Sequence, residues 1–259
     1  MISKESLDTL LTDVTLSLDN LRYQPTMEIL TKLENGIKTK NPNQSIESCY
    51  LLARCLERLQ QYDEAIKNFE FVVNRTSDNE KLSYSFYYLA KIYFMKDMVF
   101  KSLPLISKVY EIIGEEANTD LYFYMKSNEG KVYASMAMYP EAMMAYDYII
   151  QFKQIAPKSA LYSAYIDYGS LFKYMEKFEE GLQMYELAEQ IIQNYEDTLT
   201  SNSYPMLYKH KGDLYRAHED IEEALALYVK AEKHESLSYR ELVSVQNSLA
   251  SCYVLMKKY

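Results

Sequence analysis

Residues 127–150, SNEGKVYASMAMYPEAMMAYDYII, contain the pattern that decides the fold. Their apolar residues recur at helical spacing on both sides of a short central segment, which predicts two amphipathic helices joined by a tight turn. Two small residues, Gly130 and Ala142, alternate there with three tyrosines, Tyr133, Tyr139 and Tyr146. The same spacing recurs along most of the chain, so the repeat predicts the architecture better than any single helix does.

If Gly130 is numbered as position 8 of the repeat, three positions keep their character from copy to copy. Position 8 is small and is occupied by Ala53, Ala90, Gly130, Gly169, Gly212 and Ala250. Position 20 is small again, with Ala65, Ser102, Ala142, Gly181 and Ala224. Position 24 is mostly aromatic, with Phe69, Ile106, Tyr146, Tyr185 and Tyr228. Because antiparallel helices cross closely only where side chains are small, we expect positions 8 and 20 to face each other at the crossing. The large residues at position 24 then fill the space around it.

This pattern resembles the tetratricopeptide repeat (TPR) family, whose unit is a helix A, a tight turn and a helix B. The resemblance implies an all-α fold, a right-handed α-solenoid of antiparallel helix pairs. It covers residues 46–259, which we predict to form five full repeats and a final unpaired helix A in one continuous solenoid. Residues 1–45 are predicted to form an atypical capping repeat.

Two features depart from the standard repeat. The repeats begin 37 to 43 residues apart, whereas the standard unit has about 34 residues. The extra residues predict longer links, whose Ser, Thr, Asp and Asn residues are natural helix N-caps. The predicted links are Asn74–Glu80, Gly114–Asp120, Ile155–Ser159 and Tyr195–Pro205. Pro104 lies in a predicted helix B, and because proline is tolerated only in the first turn, we expect that helix to begin near Ser102.

The last repeat supplies a helix A, about residues 242–256, without a helix B to cover it. Leu249, Tyr253 and Met256 would then form an apolar open end. Such an end predicts either that the natural chain continues past Tyr259 or that a second copy covers it in a homodimer.

Composition excludes several classes of function. The net charge of −9 argues against nucleic-acid or anionic-membrane binding by the whole surface. No window approaches 18 consecutive apolar residues, so no membrane span is predicted. Three cysteines, Cys49, Cys55 and Cys252, indicate reduced thiols and a cytoplasmic location.

The family resemblance also implies which residues line the inner, concave groove, since TPR proteins use positions 2, 5, 6, 9, 12 and 13 of helix A. The aromatic residues at these positions are Tyr50, Tyr84, Tyr87, Tyr88, Phe94 and Tyr124. The cations are Arg54, Arg58, Lys91, Lys131, Lys173 and Arg216, and Asn128 adds an amide. The same positions also include Glu57, Asp167, His210 and Asp213.

Aromatic faces with spaced cations suit an extended peptide that carries acidic side chains or a C-terminal carboxylate. In the alternative interpretation, the cations keep the A helices soluble and the tyrosines pack on neighbouring helices. The carboxylate clamp of chaperone-binding TPR domains is absent, because no repeat has Lys at position 5 with Asn at position 9. Binding of a chaperone tail is therefore not expected.

No catalytic or metal-binding pattern is present in the sequence. It contains neither a glycine-rich phosphate loop nor a nucleophile elbow. His210 and His218 are two helical turns apart, which is too far for chelation without further ligands. Acidic pairs such as Glu179–Glu180 fall at predicted helix starts, where they complement the helix dipole. We therefore expect a non-enzymatic protein without a cofactor or a metal.

Two hypotheses for function follow from the resemblance. The first is a scaffold that holds a protein or an extended peptide in the groove. The second is the sensory or regulatory region of a bacterial signalling or transcription-regulating protein, with an output domain after Tyr259. Peptide-pheromone receptors have repeats of this length, but this N-terminus is too short for the DNA-binding domain that they usually carry. A reading frame that continues past Tyr259 would favour the second hypothesis.

Overall fold

The computed structural model describes residues 42–114, 119–195, 199, 203–237 and 239–256, and these residues form eleven helices and no strand. The helices are α1 (Pro42–Arg58), α2 (Tyr62–Val73), α3 (Asn79–Met95), α4 (Val99–Ile113), α5 (Asp120–Ser135), α6 (Tyr139–Gln151), α7 (Lys158–Tyr174), α8 (Phe178–Asn194), α9 (Ser203–Ala217), α10 (Ile221–Glu232) and α11 (Tyr239–Met256). The chain divides into two compact units, residues 1–117 with α1–α4 and residues 118–259 with α5–α11. The predicted all-α fold is confirmed. Most of the predicted capping repeat, residues 1–45, lies outside the described residues.

Within each unit the helices pair as the repeat predicts. In the first unit α1 packs along α2 and α3 along α4; in the second unit α5 packs along α6, α7 along α8 and α9 along α10. Only three residues separate the members of each pair, so the two helices run antiparallel. The odd-numbered helices are therefore helices A and the even-numbered ones helices B. Successive A helices also touch within each unit, α1 with α3, and α5, α7, α9 and α11 in series.

The small positions of the five helix pairs are buried, as predicted, whereas Ala250 on α11, which has no helix B, is exposed. Ala142 has no exposed surface and Gly212 is buried. Positions 8 and 20 do approach each other: Ser102 Oγ donates a hydrogen bond to the Ala90 carbonyl at 2.9 Å. A Cβ built on Gly181 would lie 3.3 Å from the carbonyl oxygen of Gly169. The prediction that small residues allow close helix crossing is confirmed.

A second contact at position 8 involves the ring at position 24. A Cβ added to Gly169 would lie 2.6 Å from Tyr185 Cε1, and one added to Gly212 would lie 2.7 Å from Tyr228 Cε1. The second unit therefore needs glycine at position 8, because each buried tyrosine ring lies flat against the glycine backbone. In the first unit position 8 is alanine, and position 24 is Phe69 or Ile106, neither of which has a tyrosine hydroxyl.

The turn between helices A and B has the same backbone conformation in all five pairs. Its middle residue has a positive φ, between 58° and 71°, although it is not glycine. These residues are Gln60, Asp97, Ala137, Glu176 and Glu219. In the α5–α6 turn Met138 N donates to Tyr133 O at 2.9 Å and Ala137 N donates to Ala134 O at 3.1 Å. This is the hydrogen-bond pattern of a Schellman motif, and a left-handed residue other than glycine costs about 1–2 kcal/mol.

The predicted link residues cap the helices that follow them. The Asp78 carboxylate accepts hydrogen bonds from Glu80 N at 2.9 Å and Lys81 N at 3.2 Å at the start of α3. Thr119 Oγ1 accepts from Tyr122 N at 3.4 Å at the start of α5. Both contacts satisfy backbone donors that the first turn of a helix leaves unpaired.

The prediction for Pro104 is wrong. α4 begins at Val99, and Pro104 lies inside the helix. Pro104 and Phe100 are both exposed, so the backbone acceptor that the proline leaves unpaired lies on the solvent side of the helix. The link predicted to end at Pro205 is also shorter than expected, since α9 begins at Ser203 and places Pro205 in its first turn.

Helix α11 is longer than predicted and is only partly covered. Val245, Leu249 and Cys252 are buried in a cluster with residues of α10. Tyr253 is 51% exposed and Met256 is 43% exposed. The open apolar face that the sequence predicts is thus present, except that Leu249 is covered. Every described helix is too short or too polar to cross a lipid bilayer.

Candidate functional site

Two of the predicted groove aromatics of the first unit, Tyr50 and Tyr88, pack against one core ring. Phe69, from α2, is buried, and the Tyr88 ring stacks on it with centroids 5.2 Å apart. Tyr50 meets Phe69 edge-on at 6.3 Å, and Tyr87 meets Tyr88 at 5.1 Å. Burial raises the pKa of the Tyr50 hydroxyl well above its ordinary value. The predicted aromatics that remain partly buried here are Tyr50, Tyr84, Tyr87, Tyr88 and Phe94. They support the core and still keep some ring surface at the helix-A face.

The predicted cations of the first unit have partners. Lys91 Nζ lies 2.8 Å from Glu57 Oε1, whose side chain is 7% exposed. Arg58 Nε lies 3.7 Å from the other oxygen of Glu57. The Arg54 guanidinium lies over the Tyr50 ring, 5.9 Å from its centroid. A buried carboxylate thus balances part of the positive charge that the sequence places on this face.

In the second unit α5 and α7 are joined by polar contacts at the predicted positions. The Tyr124 hydroxyl lies 3.1 Å from Ser159 Oγ. Lys131 Nζ lies 3.2 Å from Asp167 Oδ2. Burial raises the pKa of the Asp167 carboxyl, and Lys131 opposes that rise. Asn128, one turn before Lys131, is only 4% exposed, and its Nδ2 has no hydrogen-bond partner among the described residues.

Ser170 and His210 link α7 to α9, and we call them the Ser170–His210 cluster. Ser170 Oγ donates to the Ile166 carbonyl at 3.0 Å, and it lies 3.3 Å from His210 Nδ1 and 3.1 Å from the Tyr185 hydroxyl. Burial, together with smaller effects of nearby lysines and against the opposing effect of Asp213, lowers the pKa of His210 to about 4. His210 is therefore neutral at pH 7.

Asp213, one turn after His210 on α9, is the centre of a satisfied polar group. Lys209 Nζ donates to Asp213 Oδ2 at 2.7 Å, and the Tyr228 hydroxyl donates to Oδ1 at 2.7 Å. Arg216 Nε donates to the Tyr228 hydroxyl at 3.3 Å. Burial raises the pKa of the Asp213 carboxyl, but Lys209 and Tyr228 outweigh that effect and hold the pKa below its usual range.

The contacts between successive A helices follow one rule of register. Position 9 meets position 6 of the next helix A, as in Lys131 with Asp167 and Ser170 with His210. The Glu57–Lys91 pair connects position 12 to position 9. Each helix A is therefore displaced by three positions, about one turn, from the one before it. The sequence contains this signal as charges of opposite sign at those positions.

The hydroxyls of helix B also reach the helix-A face, which the sequence analysis did not anticipate. The Tyr185 and Tyr228 rings lie against Gly169 and Gly212, where no Cβ stands in the way. Their hydroxyls then emerge beside Ser170 and Asp213. A signal for this arrangement was available, since glycine occurs at position 8 only in repeats that have tyrosine at position 24.

Lys173 differs from the other predicted cations of the second unit. Its ammonium group lies 4.6 Å from the centroid of the neighbouring Tyr174 ring. In the part of the chain that the structure describes, no carboxylate lies within ion-pair distance of it. Across residues 42–114, 119–195, 203–237 and 239–256, no three His, Cys, Asp or Glu side chains are grouped as metal ligands would be.

No protein-family model matches the sequence, and no curated protein is significantly similar to it in sequence. Solved structures do match the fold. A tetratricopeptide repeat protein from Parabacteroides merdae aligns with a TM-score of 0.69 at 15% identity, over 97% of this chain and 86% of that chain. NprR, in complex with its cognate peptide NprX, aligns with a TM-score of 0.75 at 16% identity, over 96% of this chain and 71% of that chain.

A Rap protein complexed with Competence and Sporulation Factor aligns with a TM-score of 0.70 at 10% identity, over 99% of this chain and 87% of that chain. Identities this low establish the fold and nothing finer. The paired antiparallel helices, the small residues at their crossings and these structural similarities together show that the chain has the tetratricopeptide repeat fold.

Proposed function

We propose that this protein is a non-enzymatic scaffold that binds a peptide or an extended protein segment along the predicted helix-A groove. The observation that carries the proposal is Asn128, whose amide nitrogen is buried on α5 without a hydrogen-bond partner among the described residues. A buried donor without a partner costs about 1–3 kcal/mol. A ligand that offers a carbonyl oxygen removes that cost, and a peptide backbone offers one at every residue.

The surroundings of Asn128 suit such a ligand. Tyr124 and Lys131 lie one turn away on the same side of α5, and the Lys131–Asp167 pair presents both a donor and an acceptor. A peptide bond has one N–H and one C=O, so it matches a surface with both kinds of group.

The structural neighbours support this proposal in a general way. NprR and the Rap protein were solved with a peptide and with Competence and Sporulation Factor, respectively. We extend peptide binding to this chain as a proposal, together with a cytoplasmic setting. The three cysteines of the chain are buried and unpaired, in keeping with a reducing compartment.

The test uses a random peptide library displayed on phage and panned against the purified protein. A peptide enriched on the wild type is then synthesised, and its affinity is measured by isothermal titration calorimetry for the wild type and for Asn128→Ala. We expect affinity to fall about tenfold in the variant, because the ligand loses one buried hydrogen bond. The control is Asn68→Ala on α2, where the amide donates to the Glu64 carbonyl of its own helix. Equal losses in the two variants, or no enriched peptide, would contradict the proposal.

The regulatory hypothesis stays open as a second proposal, favoured by the similarity to NprR bound to its peptide. In that case the repeats sense a peptide and control an output domain elsewhere in the natural protein. A full-length reading frame with an output domain after Tyr259, whose activity changes when an enriched peptide is added, is the expected result. A reading frame that stops there, with a dimer in solution, would instead favour self-association through the open face of α11.

A further inference from the structure

We propose that the second unit takes a carboxylate of the bound peptide at Lys173, beside the Ser170–His210 cluster. This inference rests on the proposed peptide-binding function and names the chemical group that the site selects. The carboxylate belongs either to an acidic side chain or to the C-terminus of the peptide, and the experiment below separates the two.

The residues involved lie on facing turns of two neighbouring A helices. Ser170 and Lys173 are one turn apart on α7, so their side chains lie on the same side of that helix. His210 and Asp213 are likewise one turn apart on α9. The 3.3 Å contact between Ser170 Oγ and His210 Nδ1 joins the two helices at this point. Lys173 therefore lies next to a neutral polar contact between helices.

Charges on this face are unequal. The described positions hold four cations, Lys131, Lys173, Lys209 and Arg216, and only two carboxylates, Asp167 and Asp213. Lys131 pairs with Asp167, while Lys209 and Arg216 share Asp213. Lys173 is the one of these four cations that has no carboxylate partner in the described part of the chain, and an anionic ligand would neutralise its charge.

Both carboxylates already have partners, Asp213 in Tyr228 and Lys209, and Asp167 in Lys131. The Tyr228 hydroxyl donates to Asp213 at 2.7 Å, which fixes that carboxylate between Tyr228 and Lys209. Asp167 Oδ2 lies 3.2 Å from Lys131 Nζ. By the register described above, Lys173 on α7 faces Asp213 on α9, but Lys209 and Arg216 already share that carboxylate, so this face keeps a surplus of positive charge.

The electrostatics of His210 agree with this arrangement. Burial is the main cause that lowers the pKa of His210, and Lys209, Lys173 and Lys131, from three successive A helices, all lower it further. Asp213 alone opposes them. The positive potential that disfavours a proton on His210 favours an anion at the same place. Lys173 contributes to that potential, in agreement with a carboxylate bound beside it.

The experiment starts from the peptides enriched on the wild type by phage display, synthesised with an amidated or a free C-terminus. For each peptide, affinity is measured for the wild type, Lys173→Gln and the control Lys177→Gln. Lys177 lies one turn further on, is exposed, and lies 3.9 Å from Glu180, so it reports the effect of losing one positive charge nearby. Circular dichroism verifies that each variant is folded.

We expect Lys173→Gln to weaken binding about tenfold or more and Lys177→Gln to leave it nearly unchanged. Replacing the acidic residue of the peptide by its amide should weaken binding to the wild type but not to Lys173→Gln, since the two changes remove the same contact. If the contact is to the C-terminus, amidation has that effect instead. This inference would be wrong, and the proposed function would stand, if peptides whose affinity falls in Asn128→Ala bind the wild type and Lys173→Gln equally well. The absence of any enriched peptide would overturn it together with the proposed function.

Discussion

Replacing Gly169 by alanine tests the packing rule that governs the second unit. In an ordinary helix this change is favourable by about 1 kcal/mol, because alanine has the higher helix propensity. Here the new Cβ would lie 2.6 Å from Cε1, 2.8 Å from Cζ and 2.9 Å from Cδ1 of Tyr185. The Tyr185 ring is fully buried and its hydroxyl contacts Ser170, so it has little freedom to move away.

Inserting a methyl group into a packed core costs about 1–3 kcal/mol. After the propensity gain of about 1 kcal/mol is subtracted, we expect Gly169→Ala to lower the free energy of unfolding by roughly 0–2 kcal/mol. The first unit suggests the compensating change, because there alanine at position 8, Ala90, occurs together with isoleucine at position 24, Ile106. In a Tyr185→Ile background, Gly169→Ala should be neutral or stabilising.

The assay is urea unfolding followed by circular dichroism for the wild type, the two single variants and the double variant. The expected coupling energy between the two sites is about 1–3 kcal/mol, as for residues in direct contact. The control is Ala90→Gly, which should destabilise the protein by about 1 kcal/mol or more, because glycine has the lower helix propensity and the buried Ala90 methyl group is lost. If Gly169→Ala stabilises the protein in the wild-type background, the tyrosine ring does not constrain position 8 and the reasoning fails.

Three further predictions concern the turns and the ionised groups. Ala137→Gly should raise the midpoint of thermal unfolding, by about 0.5–1 kcal/mol in free energy, because glycine relieves the left-handed strain of the α5–α6 turn; an unchanged or lower midpoint would count against that strain. Lys131→Gln should raise the pKa of Asp167 further above its usual range; because the folded state then takes up a proton more readily, the variant should be least stable near pH 7 and gain stability on acidification, and a pH profile identical to the wild type would contradict this. The imidazole of His210 should titrate near pH 4 by NMR; because its folded pKa lies below 6.5, its contribution to stability should be lost as the pH falls from 6.5 towards 4, and His210→Asn should remove that part of the acid dependence.

Much of the fold could be predicted from the sequence, because the spacing of small and large residues in each repeat shows where two helices cross. Gly169 and Gly181 are small for the same local reason, since they are where two backbones approach each other. The capping roles of Asp78 and Thr119 were also readable, because a cap depends only on residues a few positions away. The prediction for Pro104 was wrong, because a proline inside a helix is tolerated when it lies on the solvent-exposed side. The repeat pattern alone did not show that Pro104 lies on that side.

The geometry of the turns and the pairing of the charges could not be predicted from the sequence, for two different reasons. The left-handed residue of each Schellman turn is Gln, Asp, Ala or Glu, so the glycine that usually marks this motif is missing. The predicted groove cations lie on α1, α3, α5, α7 and α9, but the sequence did not show which carboxylate each of them would meet. Lys91 and Lys131 are paired with Glu57 and Asp167, which come from a neighbouring repeat and meet them only once the register between helices is known.

The sequence by itself determined that this chain builds antiparallel helix pairs, because periodicity and residue size act over a few turns of one or two helices. Only the tertiary structure decided which charges remain unpaired and which donor is buried without a partner. Those properties depend on contacts between repeats about forty residues apart in the chain. The buried amide of Asn128, on which the proposed function rests, and Lys173, on which the further inference rests, are therefore features of packing between repeats.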